Sequence, residues 1–402
     1  MTLGTDNPWN GVIVFVGGER WDGVRGSHRQ LAEALARRRP VLYVDNPISP
    51  ATSRSRASSA IGAGVRPGLR MVGPQMAVLV PAALPGLSRP GIRVTTAWLI
   101  RRAVRRALVE LGRPAVKAIV VASLDDLLTS CRADRRLVYA TDDYVAGASL
   151  MGIDPRYLQR CERRQSAKAD GVVVVSDELA ARWRGLGHDP LVVPNGCDGS
   201  AYAAVAGLAP ATEVTLPTPI AGVVGRLSAR IDLSLLEAVA DRGRSLLLVG
   251  PLDPSFEPAR MQSLVARPNV QLVGPVSFEA LPPFLAAMHT GLTPYADSAF
   301  NRASFPLKTL EYLAAGRSVV ATDLPAHRWL QTDLVGLADG QRGFADAVDA
   351  ALDRESSAAL VAERQAFAAQ HNWDERAGEV LADLDRSPVG VAASPPVGRE
   401  GD

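Results

Sequence analysis

Short runs of β-branched residues alternate with longer stretches of helical spacing along this chain; the alternation stops near residue 200 and then begins again. Val12–Val16 is an unbroken apolar run that ends at Gly17-Gly18, and 27–38 follows with Leu31, Ala34 and Leu35 at the spacing of one helix face. Val41–Val44, Met76–Val80, 118–121, 137–139, 172–175 and 191–193 continue the series. A second series opens with a strand at Ile220–Val224 and a helix at 233–240. It runs on through strands at 246–249, 270–273, 291–293 and 318–321, with a helix at 308–314. Runs apolar at every position read as strands covered on both faces, and covered strands alternating with helices make a parallel sheet between helical layers.

A chain of 402 residues is too long for one ordinary core. The expected fold class is therefore α/β, with two Rossmann-like domains facing a cleft. The expected division is 1–200 for the first domain and 201–218 for a linker rich in Ala, Gly, Thr and Pro. The second domain takes 219–373, a last helix at 374–386 crosses back to the first, and 387–402 is a tail too poor in anchors to fold. No run of about 18 apolar residues suggests a membrane-spanning helix, and the polar stretch 1–10 has no signal-peptide pattern. Cys131, Cys161 and Cys197 are odd in number and widely spaced, which fits neither a disulfide framework nor a zinc site and points to a cytoplasmic location. Net charge is only +2, but residues 1–200 hold 28 Lys+Arg against 18 Asp+Glu (+10), and the rest 16 against 24 (−8). On charge alone the first half is suited to nucleic acid, a membrane surface or a phosphorylated lipid.

In parallel α/β sheets, ligands sit at the carboxyl ends of the strands, where helix N-termini and loop amides face anions. The richest such place is in the second half: Thr293-Pro294-Tyr295, Asp297, Asn301, then Ser304-Phe305-Pro306-Leu307-Lys308 and Glu311 through Gly316. Pro306 opens a helix, the loop 302–305 offers amides at its positive end, and Lys308 adds a cation, which suits a diphosphate. Glu311, three residues on, can accept two hydrogen bonds from a ribose diol. The alternative is an ordinary helix pair between Lys308 and Glu311.

Glu311 through Thr322 closely resembles the donor-site segment of the retaining glycosyltransferases of family four, whose fold is GT-B. Val175 to Leu179, Val193 to Asp198, and Gly222-Val223-Val224-Gly225-Arg226-Leu227 resemble further segments of that family, and the likeness weakens before about residue 130. The resemblance implies a retaining hexosyltransferase that uses a nucleotide-sugar donor and a sugar or lipid-linked acceptor, with no metal or other cofactor and no nucleic-acid partner. It matches Arg226 to the diphosphate-binding Arg and Glu311 to the ribose-holding Glu. Two positions depart from the pattern. The first Glu of the family's pair falls on Ala303, and the family's diphosphate Lys falls on Asp232. Lys308 can replace that cation, and Asp297 or Asn301 can reach the sugar hydroxyls, with Ser304, Phe305 and Leu307 lining the donor. The pattern Pro-Leu-Lys before Glu-Tyr resembles a bacterial branch tied to cell-surface polysaccharides.

On the first domain, Gly17 and Gly18 let the chain approach the cleft closely. The loop after them carries Arg20, Trp21, Asp22, Arg25 and His28, read either as an acceptor site or as a solvated loop over a packed Trp. Asp142 and Asp143 follow a strand into the same cleft, where one can act as a base or bind hydroxyls; the alternative is a turn cap. Asn195 reads as an Asn-Gly turn. The helix at 98–111 sets Ile100, Val104, Ala107, Leu108 and Leu111 on one stripe and Arg101, Arg102, Arg105 and Arg106 on another. That face suits an anionic membrane surface at the inner side of the plasma membrane, or plain solvent. Two further functions stay open: a catalytically silent partner of this fold, suggested by Ala303, and a nucleotide-sugar epimerase.

Overall fold

The computed structural model describes residues 7–23, 25–49, 65–85 and 90–386, with side chains in the helix Pro90–Glu110 described from Val94. The expected tail at 387–402 and residues 1–6 lie outside these. The described residues form two sheets. The first orders its strands β3-β4-β2-β1-β5-β6-β7-β8. These are β1 (Val12–Val16), β2 (Val41–Val44), β3 (Gly68–Gly73), β4 (Met76–Val80), β5 (Val116–Val121), β6 (Arg135–Ala140), β7 (Gly171–Val174) and β8 (Leu191–Val192). Every pairing is parallel except β3 with β4. The exposed edge strand β3 carries no apolar run and goes unseen in the sequence.

The second sheet is parallel throughout and runs β11-β10-β9-β12-β13-β14. Its members are β9 (Ile220–Val224), β10 (Ser245–Val249), β11 (Val270–Gly274), β12 (Thr290–Thr293), β13 (Ser318–Thr322) and β14 (Val335–Ala338). From β9 outward this is the doubly wound order in which the chain reverses between the first and fourth strands. The same reversal separates β1 from β5 in the first sheet, so each domain has a switch point, at β1/β5 and at β9/β12. The expected linker is partly ordered: Gly199–Tyr202 is helical and Ala203–Gly207 is a 3-10 turn.

The strands at both switch points are buried, and one apolar cluster runs from Val12 and Phe15 in β1 to Ala303, Phe305 and Trp373. The helix Trp373–Asp385 packs on the helix Ser27–Ala36 of the first domain. Asp374 pairs there with Arg37 at 2.7 Å and Asp385 with Arg39 at 2.9 Å. Just before it, the Cys197 amide donates to the His371 carbonyl at 2.6 Å, so the two chain crossings between domains run side by side.

Candidate functional site

β9 ends at Val224 and turns at Gly225, whose φ is +137°. Beside it Gly250, with φ +142°, approaches so closely that a Cβ there would lie 1.9 Å from the Gly225 carbonyl oxygen. Both positions therefore require glycine. The helix Leu307–Ala314 is fixed against this turn by Tyr312, whose buried hydroxyl accepts from the Val224 amide at 2.7 Å. Pro306 is its N-cap, and the first-turn amides of Leu307, Lys308 and Thr309 have no partner within the helix. Lys308 lays its stem over Gly225 and donates to Glu311 at 2.5 Å. Arg226, exposed, leaves the turn on the same strand end. Of the groups named from the sequence, Lys308 and the buried Glu311 thus form the helix pair beside the Gly225 turn, and Arg226 follows that turn in the chain.

The loop before that helix differs from expectation. Residues 299–303 form a short helix capped by Ser298, and the Ser304 amide is spent on the Phe300 and Asn301 carbonyls. The amides left without a helix partner are therefore those of 307–309 and not of 302–304. Asn301 is buried and its amide group is engaged within its own surroundings. Its Nδ2 donates to the carbonyls of Ala296 and Arg230, and its Oδ1 accepts from Arg230 Nε at 3.1 Å. It braces the loop, with both Nδ2 protons spent on backbone carbonyls and Oδ1 held by Arg230. Asp297 is exposed and bound by Arg302 at 2.5 Å. The Phe305 ring is core, edge-on to Trp329 at 5.5 Å, and Leu307 is partly buried.

Three hydrogen bonds stitch residues 303–305 to the first domain. Ser176 Oγ donates to the Ala303 carbonyl at 2.6 Å, Asn195 Nδ2 to the Phe305 carbonyl at 3.1 Å, and Ser304 Oγ to Asp142 Oδ1 at 2.6 Å. Asn195, read from sequence as a turn residue, is in fact a tie across the domains. Asp142 is the first-domain carboxylate bonded to the loop just ahead of the helix Leu307–Ala314. Asp143 is not: it accepts from the Ala146 amide at 2.9 Å and pairs with Arg182 at 3.3 Å, so it is the turn cap.

At the end of β1, Gly17 lies against the Tyr43 ring, where a Cβ would come within 2.1 Å of the hydroxyl. The Gly18 amide donates to His28 Nδ1 at 3.1 Å. That leaves the proton on Nε2, which faces Thr141 Oγ1 at 3.1 Å, and Thr141 reaches Asp142 Oδ2 at 3.2 Å. Burial pulls His28 down to about 4, so the ring is neutral and holds Asp142 through Thr141. Arg25, expected at the acceptor, pairs with Glu33 at 2.7 Å and Asp198 at 2.8 Å and lies 5.0 Å over Phe278 of the second domain. Trp21 is packed under Arg29. The first-domain loop is thus mostly brace, and Gly18, His28, Thr141 and Asp142 form one hydrogen-bonded chain beside it. Sequence reasoning passes over Glu19, whose carboxyl is buried against Gly26 and has one oxygen without a partner. Burial first, then Asp142, raises it to about 7. It also passes over Arg230. Among the described residues no three His, Cys, Asp or Glu groups converge to hold a metal.

In structure the chain is similar to sucrose-phosphate synthase of Thermosynechococcus elongatus, with a TM-score of 0.72 and 20% identity over 93% of this chain and 98% of that one. It is similar to Anabaena Alr3699/HepE in complex with UDP and glucose, at TM-score 0.65 and 16% identity over 92% and 99%. A trehalose-6-phosphate structure from E. coli bound with UDP-2-fluoro glucose has TM-score 0.68 and 12% identity over 94% and 99%. The fold is GT-B. In sequence, residues 218–354 match the family described as Glycosyl transferases group 1, so the match falls on the GT-B domain that carries Arg226, Lys308 and Glu311. A protein of Bacillus subtilis (strain 168), named as a teichuronic acid biosynthesis glycosyltransferase, TuaH, is 33% identical over 118 residues. That stretch is 29% of this chain and 30% of the relative's length.

Proposed function

We propose that this protein is a glycosyltransferase that moves a hexosyl group from a nucleotide diphosphate sugar to an acceptor held by the first domain. The observation that carries the reading is Lys308 over the Gly225 turn at the start of a helix whose amides of 307–309 lack helix partners, with Arg226 next in the chain and Asp142 bonded to Ser304 just ahead of that helix. Fixed donors aimed at a leaving diphosphate stabilise the charge that develops there, without a metal ion. Glu311 holds the ribose, and Asp142, oriented by Thr141 and Ser304, faces the reacting sugar and the acceptor hydroxyl. Anomeric retention follows from the likeness to family four. The acceptor is a lipid-linked or sugar hydroxyl used in cell-surface polysaccharide assembly, at the inner face of the plasma membrane. The helix Pro90–Glu110 supports a membrane contact: Val94, Trp98 and Val109 are exposed, with Arg102 stacked on Trp98 at 5.4 Å. Of Arg101, Arg102, Arg105 and Arg106, two are anchored instead, Arg101 on the Asp126 carbonyl and Arg105 on the Ser130 carbonyl.

The test is calorimetry with nucleoside diphosphates in the presence of EDTA. Arg226→Ala and Lys308→Ala each weaken binding by about 1.5–3 kcal/mol, the contribution of one charge-assisted contact. Unchanged affinity in both variants overturns the site. Binding without turnover of any nucleotide-sugar favours the silent-partner reading that Ala303 suggests.

A further inference from the structure

Arg230 lies between β9 and the helix Leu233–Asp241, and its position is held from several sides. Its carbonyl accepts from the Ala296 amide at 2.9 Å and from Asn301 Nδ2 at 2.9 Å, and its Nε donates to Asn301 Oδ1. Its guanidinium sits 5.3 Å from the Tyr295 ring centre and 4.9 Å from that of Phe300. Phe300 in turn lies against Gly147 of the first domain, where a Cβ would meet the ring at 2.5 Å. The side chain is therefore fixed at the seam between the domains.

Among the described residues no carboxylate pairs with it. Arg242, Arg244, Arg260 and Arg267 of the same domain all pair with Asp or Glu. Near Arg230 the acids are engaged elsewhere: Asp297 by Arg302, and Asp232 by the amide and hydroxyl of Ser234. Aromatic faces and one Nε bond hold the side chain, and among the described residues no hydrogen bond takes its two terminal nitrogens. Holding an arginine still forfeits its rotamer freedom, and a fork held still is suited to a planar anion.

The diphosphate already has Arg226, Lys308 and the helix amides at the Gly225 turn, whereas the contacts of Arg230 are with the 295–301 loop. On that loop position 303 is Ala and Asp297 is paired. A hydroxyl of a neutral sugar donates as well as accepts, and its donated hydrogen bond suits a free carboxylate. This side of the seam offers instead a free positive fork, which matches a carboxylate bidentately.

We propose that Arg230 determines donor specificity by binding a carboxylate on the sugar, so that the donor is a nucleotide-linked hexuronate. The inference rests on the donor reading above, and the two fail differently. The experiment is calorimetry on the full chain with UDP, UDP-glucose and UDP-glucuronate, repeated with GDP, GDP-mannose and GDP-mannuronate. The expected result is that, for whichever nucleotide binds, the hexuronate form binds about tenfold or more tightly than the neutral form. Arg230→Gln removes that preference and leaves the nucleoside diphosphate itself within about twofold; Arg230→Lys, which keeps the charge and loses the fork, retains part of it. Equal binding of the two sugars by the unaltered protein overturns the proposal. So does an equal loss of diphosphate affinity in Arg230→Gln, which would make Arg230 a phosphate ligand. If neither diphosphate binds, the donor reading itself falls, and the proposal with it. Thermal melts of both variants guard against misfolding, and if Gln unfolds the chain the Lys variant decides by the same ratio.

Discussion

Replacing Gly250 by Ala tests whether the two glycine turns are a single packed unit. The added Cβ would stand 1.9 Å from the Gly225 carbonyl oxygen and 2.7 Å from its carbon, against 3.4 Å for an ordinary contact. The turns must part by about 1.5 Å, and the Gly225 amide, which donates to the Val249 carbonyl at 2.9 Å, is pulled from its partner. A non-glycine residue at φ +142° costs about 1–3 kcal/mol. The forced displacement adds about 1–3 kcal/mol, and the strained hydrogen bond about 1 kcal/mol. The sum, about 3–7 kcal/mol, is a large part of the 5–15 kcal/mol typical of a domain. Gly243→Ala is the control: its φ is +72° but nothing lies within 4 Å of the new methyl, so it costs only the backbone strain of about 1–2 kcal/mol. Urea unfolding followed by circular dichroism measures both. Calorimetry on the folded fraction should also find weaker nucleotide binding in Gly250→Ala, because Gly225 underlies Lys308. If the two alanine variants fall within about 1 kcal/mol of each other, the close approach of the turns is not what makes Gly250 necessary.

Two other outcomes are expected. Glu19 has its pKa raised from 4.5 to about 7 in the folded chain, so the folded state binds the extra proton and stability is lost as pH rises through that window. Glu19→Gln should therefore melt higher than the parent at pH 8 and like it at pH 4.5; no pH dependence in the difference would refute the buried-acid assignment. At the exposed helix face, sedimentation with vesicles should rise with anionic-lipid content and fall in Arg102→Gln/Arg106→Gln, at about 1 kcal/mol per arginine near the leaflet. Equal, negligible pelleting at low and physiological salt would point to an acceptor free in solution.

The buried strands were readable because a parallel strand covered on both faces has no polar position to disguise it. Val12–Val16 and Ile220–Val224 are apolar or small throughout and every residue is buried. Gly68–Gly73 was not readable, because an exposed antiparallel edge needs no such run. At the site, Lys308 and Glu311 were visible as a pair since three residues of helix bring them to one face. The partnership of Ser304 with Asp142 spans 162 positions and that of Arg230 with Asn301 spans 71, and no local periodicity encodes either. Arg25 misled for the same reason: its partners Asp198 and Phe278 are brought to it only by the fold. Asn301 looked like a sugar ligand because a polar residue in a glycosyl-donor loop is conspicuous, while the carbonyls it satisfies leave no trace in the sequence.

The adjacent crossings at Cys197 and His371 have a mechanical consequence. Two tethers joined at one point behave as an axle: they resist sliding and separation of the domains but leave rotation about the shared bond free. Gly196 lies so close to Trp373 that a Cβ would meet its amide nitrogen at 2.8 Å, so the axle has almost no play. Opening must then move most whatever lies farthest from the crossing, and least the contacts beside it. Close to the axle, Asn195 moves little. Phe305 reaches the crossing through Trp329, whose ring lies 5.5 Å from Phe305 and 5.9 Å from His371, so the ties at 303–305 sit beside the axle and such a turn strains them least.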